Sequence, residues 1–223
     1  MFNNQFIFMG PQGSGKGTQA KALAAKLGIP HISTGEIFRQ VIVEGGELGQ
    51  KVKATIDKGQ LMPDEITNQA VAERIKGAHG FILDGYPRNL AQAQFLDTIA
   101  PAVKVIDLEL SDDEAVARIS GRWSCSICGA VYHSKYQPSK QEGVCDKCGG
   151  LLAQRGDDVP AVIRKRLQTY HSETEPLLQY YRERGRLLVI DGTPAIEEVT
   201  DSIIKNLKIS AGGGSASGTK NVK

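Results

Sequence analysis

Residues 10–18 read Gly10-Pro-Gln-Gly-Ser-Gly-Lys-Gly-Thr18, between an apolar run and a helix-like stretch. This order is typical of a phosphate-binding loop, because glycines let several backbone N–H groups face one anion and the helix N-terminus adds partial positive charge. Lys16 can reach the outer phosphates, whereas Gly17 replaces the usual Ser or Thr, and Thr18 follows. The stretch predicts a nucleoside triphosphate ligand. A turn that merely links strand to helix is the alternative, and the four glycines and the lysine disfavour it.

The composition indicates one globular domain with small insertions. The chain has 223 residues, 40% of them hydrophobic, with a formal net charge of +2. Because the two signs are interspersed, we expect neither nucleic-acid nor membrane binding. No run approaches the roughly 20 apolar residues of a membrane span, and the N-terminus does not resemble a signal peptide. We therefore expect a soluble, cytoplasmic protein.

The hydrophobic pattern alternates between strands and helices, which predicts an α/β fold with a parallel sheet covered by helices on both faces. The predicted strands are residues 6–9, 80–83, 103–110 and 186–190. The predicted helices are residues 19–27, 64–76, 90–98, 112–120, 159–184 and 195–207. Ligands of such sheets bind at the carboxyl ends of the strands, where both residues 10–18 and residues 84–88 fall.

Two stretches interrupt this alternation and predict insertions into the core. Residues 33–62 have no strand pattern and suggest a few short helices packed as a flap, whereas residues 122–158 contain all four cysteines and suggest a lid. The core is then formed by residues 1–32, 63–121 and 159–210. Residues 211–223 are small and polar, so we expect a flexible tail outside the fold.

The four cysteines form two C-x-x-C pairs with zinc-ribbon spacing: Cys125 with Cys128, and Cys145 with Cys148. Four thiolates can close a tetrahedral site and leave no open position, so the spacing predicts a structural metal rather than a catalytic one. Two disulfides or four unpaired thiols are the alternatives, which an intracellular location disfavours. His133 lies nearby, and we expect it to be a surface or packing residue.

Charged residues elsewhere suit phosphate chemistry. Asp84 ends a predicted strand and is followed by Gly-Tyr-Pro-Arg88, so one loop presents a carboxylate that could hold Mg²⁺ through water and a guanidinium that could clamp phosphate. An ordinary surface turn is the alternative for this pair taken alone. Further arginines occur in the insertions and just after the lid: Arg39, Arg122, Arg155 and Arg166.

Taken together, these motifs closely resemble the adenylate kinases whose lid binds zinc, as found in bacteria, over nearly all of residues 5–209. The resemblance implies ATP phosphates on Gly13, Ser14, Gly15, Lys16, Gly17 and Thr18, with Arg122, Val131, Tyr132 and Pro194 around the nucleotide. It implies an AMP side made of Thr34, Arg39, Gln60, Leu61, Met62, Gly85, Tyr86, Pro87, Arg88 and Gln92, with Arg155 and Arg166 bridging the phosphates. It also implies catalytic roles for Lys16, Arg88, Arg122, Arg155 and Arg166, and zinc on the four cysteines. Tyr86, where Phe is common, and Pro11-Gln12 depart from the family pattern without changing a charge.

The resemblance implies Mg-dependent transfer of the ATP γ-phosphoryl group to AMP, giving two ADP, by a monomer. A kinase that phosphorylates UMP, CMP or GMP is the nearest alternative, and Thr34 and Gln92 favour adenine. A nucleic-acid-binding ATPase is disfavoured because the cysteine-rich stretch is not strongly basic. A pure binding module would leave the arginines without a purpose.

Overall fold

A five-stranded parallel sheet forms the centre of the computed structural model, which describes residues 4–209. Its strands are ordered β2-β3-β1-β4-β8. They are β1 (Gln5–Met9), β2 (His31–Ser33), β3 (Phe81–Asp84), β4 (Lys104–Glu109) and β8 (Leu187–Asp191). Phe8 lies opposite Asp84 in the β1–β3 register, which brings Asp84 beside the start of the phosphate-binding loop.

Helices cover both faces of this sheet, as the alternating pattern predicts. The helices packed on the sheet are α1 (Lys16–Leu27), α4 (Asp64–Ile75), α5 (Leu90–Ile99), α8 (Pro176–Glu183) and α9 (Ile196–Leu207). Two more, α6 (Asp112–Ser120) and α7 (Pro160–Thr169), pack against each other. One buried cluster joins the sheet to α4, α5 and α8, and a second joins its other face to α1 and α9. The central strands β1 and β3 are buried on both faces and therefore read as continuous apolar runs.

Two details of the predicted pattern are wrong. The short strand β2 lies within a stretch for which no strand was predicted, because only Ile32 of its three residues is apolar. The predicted helix over residues 159–184 is divided into α7, a π-helical turn at Tyr170–Thr174, and α8. Its apolar spacing continues across the turn, so periodicity alone does not reveal the break.

Two insertions project from the carboxyl side of the sheet. The first contains α2 (Thr34–Glu44) and α3 (Gly46–Asp57). The second contains an antiparallel sheet of β6 (Val131–His133), β5 (Arg122–Cys125) and β7 (Leu152–Ala153). We call residues 122–158 the lid. The helices on either side of the lid, α6 and α7, pack together through Ile119 and Ile163, both essentially inaccessible to solvent.

Among residues 4–209, no helix has both the length and the apolar character needed to cross a bilayer. The predicted tail, residues 211–223, lies outside the described residues.

Candidate active site

The phosphate-binding loop follows β1 and leads directly into α1. Gly10 has a φ of 126°, and a Cβ there would lie only 2.4 Å from the carbonyl oxygen of Leu108, so this position requires glycine. Gly15 caps α1 in a left-handed conformation. The loop therefore presents backbone N–H groups at a helix N-terminus, which is an arrangement that binds anions.

Lys16 lies across this loop. Its Nζ donates hydrogen bonds to the carbonyl oxygens of Gly10 and Pro11, each at 2.7 Å. Burial lowers the pKa of Lys16 to about 8; Asp84 opposes this shift, whereas Arg88 and Arg166 add to it. The ammonium group thus remains mainly charged at neutral pH, where it can bind phosphate.

Asp84 lies beside the loop at the carboxyl end of β3. Burial raises the pKa of its carboxyl group, but His31, Lys16 and Arg88 outweigh that effect and the net shift is downward. A Cβ at Gly17 would lie 3.2 Å from Asp84 Oδ2. A larger residue than glycine after the lysine would therefore press on the Asp84 carboxylate unless that side chain shifted by a few tenths of an ångström.

Arg122 and Arg155 of the lid and Arg166 of α7 converge on the same cleft as Lys16. Arg122 donates from Nε to Asp158 Oδ2 at 2.8 Å and from a second nitrogen to Oδ1. Arg166 Nη1 donates to Asp157 Oδ2 at 2.6 Å, and Arg155 Nε donates to Ser124 Oγ at 3.0 Å. Burial and the neighbouring charges of Arg122 and Arg39 lower the pKa of Arg155. Since guanidinium groups stay charged in proteins, this crowding of cations favours a bound polyanion.

Two cavities meet at a set of three arginines. The larger, about 1560 Å³, runs from the phosphate-binding loop to the lid, and the smaller, about 70 Å³, lies between α2, α3 and the loop after β3. Both are lined by Arg39, Arg88 and Arg166. The shared arginines thus face two spaces at once.

Most of the predicted site residues line one of these cavities. The larger is lined by Gly13, Ser14, Gly15, Lys16, Gly17, Thr18, Asp84, Pro87, Arg122, Val131, Tyr132, Arg155 and Pro194. The smaller is lined by Thr34, Gln60, Met62 and Gln92, while Leu61 and Gly85 border both. Tyr86 borders neither, because its ring is buried in the core and its hydroxyl donates to Asn68 and to the carbonyl of Gln92.

Arg118 also lines the larger cavity, although the sequence analysis does not single it out. Its guanidinium donates to Glu114 and to the carbonyl oxygens of Gly192 and Thr193, and it lies 5.6 Å from the ring centre of Tyr136. On the sequence it is one arginine of a regular amphipathic helix, so only its three-dimensional neighbours distinguish it.

The four cysteines lie together in the lid. Their sulfur atoms all lie within 4.8 Å of one another, with Cys125 Sγ 3.4 Å from Cys148 Sγ and Cys128 Sγ 3.6 Å from Cys145 Sγ. These separations exclude disulfides, which need about 2.05 Å, and suit thiolates placed about 2.3 Å from one zinc ion. His133 instead accepts hydrogen bonds from the backbone of Lys135 and Tyr136.

The parallel sheet, the phosphate-binding loop and the adjoining cationic cleft define a P-loop nucleotide-binding protein of the α/β class. The family model for adenylate kinase matches residues 8–186. The chain is 45% identical to an adenylate kinase of Lachnospira eligens over 91% of its length and 99% of the relative's. It is 46% identical to adenylate kinases of Archaeoglobus fulgidus and Streptomyces avermitilis, over 91% and 92% of its length and 98% and 97% of theirs. The chain belongs to the adenylate kinase family.

Proposed function

We propose that this protein transfers the terminal phosphoryl group of ATP to AMP, reversibly, giving two ADP, and so balances adenine nucleotides and recovers AMP. The observation that supports this most directly is the meeting of two cavities at Arg39, Arg88 and Arg166. A reaction between two polyanions needs cations that face both, whereas an ATPase that uses water as acceptor needs only one nucleotide space.

In this proposal ATP occupies the larger cavity, and AMP places its base in the smaller cavity, with its ribose and phosphate extending past the shared arginines into the larger one. Residues 13–18 bind the ATP phosphates, with Arg122, Val131, Tyr132 and Pro194 around the rest of that nucleotide. Thr34, Arg39, the segment 60–62, Gly85, Pro87, Arg88 and Gln92 surround AMP. Tyr86 lies beneath this surface and supports the loop after β3. Arg155 and Arg166 reach the phosphates that lie between the two nucleosides.

The chemistry needs little covalent help from the protein. An oxygen of the AMP phosphate attacks the γ-phosphorus, and the bond to the oxygen that bridges the β- and γ-phosphates breaks, leaving ADP on each side. Lys16 and the arginines at 88, 122, 155 and 166 offset the negative charge spread over the transferring group. They also hold the reactants in line, which replaces a bimolecular encounter by a positioned one.

Two metals fit residues of this chain. Asp84, whose pKa is lowered, could hold Mg²⁺ through water, since Mg²⁺ prefers carboxylate oxygens and keeps part of its hydration. Bound with ATP, Mg²⁺ would neutralise phosphate charge. The four clustered thiolates fit Zn²⁺, which would brace the lid structurally.

We further propose that residues 33–62 and 122–158 close over the nucleotides as an AMP flap and an ATP lid on a core of residues 1–32, 63–121 and 159–210. Closure would exclude water, which could otherwise accept the phosphoryl group. A monomer suits two moving insertions, and the balanced surface charge suits a cytoplasmic enzyme without nucleic-acid or membrane partners.

The test is incubation with ATP, Mg²⁺ and one monophosphate at a time, with ADP measured directly by chromatography. We expect ADP from ATP and AMP, about two molecules per ATP consumed, and much slower reaction with UMP, CMP or GMP. Arg88→Ala should raise the KM for AMP and lower kcat, whereas the exposed Arg74→Ala should change neither. ATP consumption without any dependence on AMP, or stimulated by random oligonucleotides, would contradict the proposal.

A further inference from the structure

The side-chain amide of Gln92 is held at both of its polar ends. Gln92 is 2% exposed and borders the smaller cavity. Its Oε1 accepts the backbone N–H of Arg88 at 2.8 Å, and its Nε2 donates to Asp64 Oδ1 at 2.7 Å. Each partner fits only one end of the amide, because a backbone N–H can only donate and an ionised carboxylate can only accept.

Asp64 itself is fixed by the surrounding elements. It lies in the first turn of α4, where an acidic residue suits the helix dipole. Its Oδ1 also accepts Asn89 Nδ2 at 2.9 Å, while Asn89 Oδ1 caps α5 by accepting the backbone N–H of Gln92. The carboxylate therefore connects α4 to the start of α5 and faces the Gln92 amide in one orientation.

A reversed amide would be opposed at both ends. Gln92 Nε2 would then face the Arg88 N–H, and Oε1 would face the Asp64 carboxylate, leaving buried polar groups without partners. In the observed orientation, one lone pair of Oε1 and one N–H of Nε2 remain for a ligand. Adenine offers a matching edge, with a donor at N6 and an acceptor at N1, whereas hypoxanthine and guanine offer an acceptor at O6 and a donor at N1.

We propose that Asp64 is a specificity-determining positioning residue, which locks the Gln92 amide in the orientation that pairs with adenine and opposes 6-oxopurines. This inference rests on the proposed function, in which Gln92 faces the AMP base. Asp64 acts through Gln92 and touches neither reacting phosphate, so its loss should affect recognition of the acceptor more than the transfer step.

The experiment compares AMP with inosine monophosphate, which reverses the donor and acceptor at positions 6 and 1 and adds no further group. For Asp64→Ala we expect the KM for AMP to rise about tenfold, with kcat within about twofold of the parent. The ratio of kcat/KM for AMP to that for inosine monophosphate should fall about tenfold or more, since unpaired polar groups drive such discrimination. The KM for ATP should not change.

Three further variants separate recognition from helix stability. Glu65→Ala removes the neighbouring, exposed carboxylate from the same helical turn and should leave the AMP preference intact. Asp64→Asn can place its oxygen where Oδ1 accepts both Asn89 and Gln92, but its amide nitrogen then replaces Oδ2, which lies 3.1 Å from Asn89 Nδ2, so it should keep only part of the preference. If Asp64→Ala does not fold, Asp64→Ser keeps a polar side chain at the helix start and should show the same loss of preference.

The outcomes are distinguishable. If Asp64→Ala lowers the thermal midpoint and slows both acceptors equally, with the AMP preference unchanged, its role is only structural and the inference is wrong. If the parent protein makes no ADP from ATP and AMP, the proposed function fails and this inference falls with it. A preference that also disappears in Glu65→Ala would show that helix charge is responsible and would likewise overturn the inference.

Discussion

Lys16 is the side chain on which the proposed transfer most depends. Its ammonium group bonds directly to the loop backbone, where the carbonyl oxygens of Gly10 and Pro11 hold it at the start of α1. Lys16→Met should lower kcat by roughly 10³-fold, because a preorganised charge that stabilises the transition state is lost without a change in fold. Steady-state ADP formation and circular dichroism would test this. Lys26→Met, at the exposed end of the same helix, is the matched control, and an active Lys16→Met enzyme would refute the assignment.

Asp107 is a buried carboxyl group whose Oδ1 has no hydrogen-bond partner among residues 4–209. Burial, followed by repulsion from Glu109, raises its pKa from the usual 3.8 to about 6. The folded protein therefore binds this proton more tightly than the unfolded chain does. Since the native state holds more protons between about pH 4 and 6, the contribution of Asp107 to stability falls as pH rises through that range and is flat above it.

Asp107→Asn should remove this dependence. The free energy of unfolding of the variant minus that of the parent should increase by roughly 1–3 kcal/mol from pH 4 to pH 7. The upper limit follows because a shift of two pKa units corresponds to about 3 kcal/mol. Urea unfolding at several pH values measures this difference. Subtracting its value at pH 4 removes any pH-independent effect of burying an amide in place of the carboxyl group. Asp113→Asn, which is exposed on α6, is the control. A pH-independent difference would show that folding does not shift the pKa of Asp107.

The lid sheet is too small to be stable through its apolar core alone. Its buried cluster comprises Cys125, Ala130, Tyr132 and Cys145, so metal binding should supply much of its folding free energy. Cys145→Ser or a strong chelator should therefore loosen β5, β6 and β7 before the central sheet, with a lower thermal midpoint. Hydrogen exchange resolves the order of opening, and metal analysis gives the zinc content. Lys147→Ala, between two of the cysteines, should keep both the metal and the midpoint, and purified protein without zinc, iron or cobalt would contradict the prediction.

Most of the helices and strands were predictable from sequence because local chemistry determines them. Ser111 caps α6 by accepting the backbone N–H of Glu114, as the capping pattern predicts. By contrast, β2 has one apolar residue, and its place at the sheet edge depends on pairing with β3. The pairs that shape the site, Arg122 with Asp158 and Gln92 with Asp64, join residues 36 and 28 positions apart. No local pattern indicates such partners. The sequence therefore predicts Arg122 and Gln92 as site residues but does not predict that Asp158 and Asp64 hold them in place.

The protein as a unit should respond to a ligand that fills both cavities. A dinucleotide that joins two adenosines through a phosphate chain would engage the flap, the lid and the shared arginines together. At about 1,000 times its dissociation constant, such a ligand stabilises the native state by roughly 4 kcal/mol. The thermal midpoint should rise by several degrees and the radius of gyration in solution scattering should decrease, whereas AMP alone should produce a smaller change. An unchanged scattering profile would argue against closure.

The Arg122–Asp158 pair joins the two ends of the lid to each other at the point where the chain leaves and re-enters the core. Directly behind it, Ile119 and Ile163 connect the supporting helices. The points at which the chain leaves and re-enters the core are therefore adjacent. The segment between them can change in length or chemistry while the central sheet keeps its geometry. We therefore expect that the segment between Arg122 and Asp158 can be replaced by another of different length, provided that these two anchoring residues are kept.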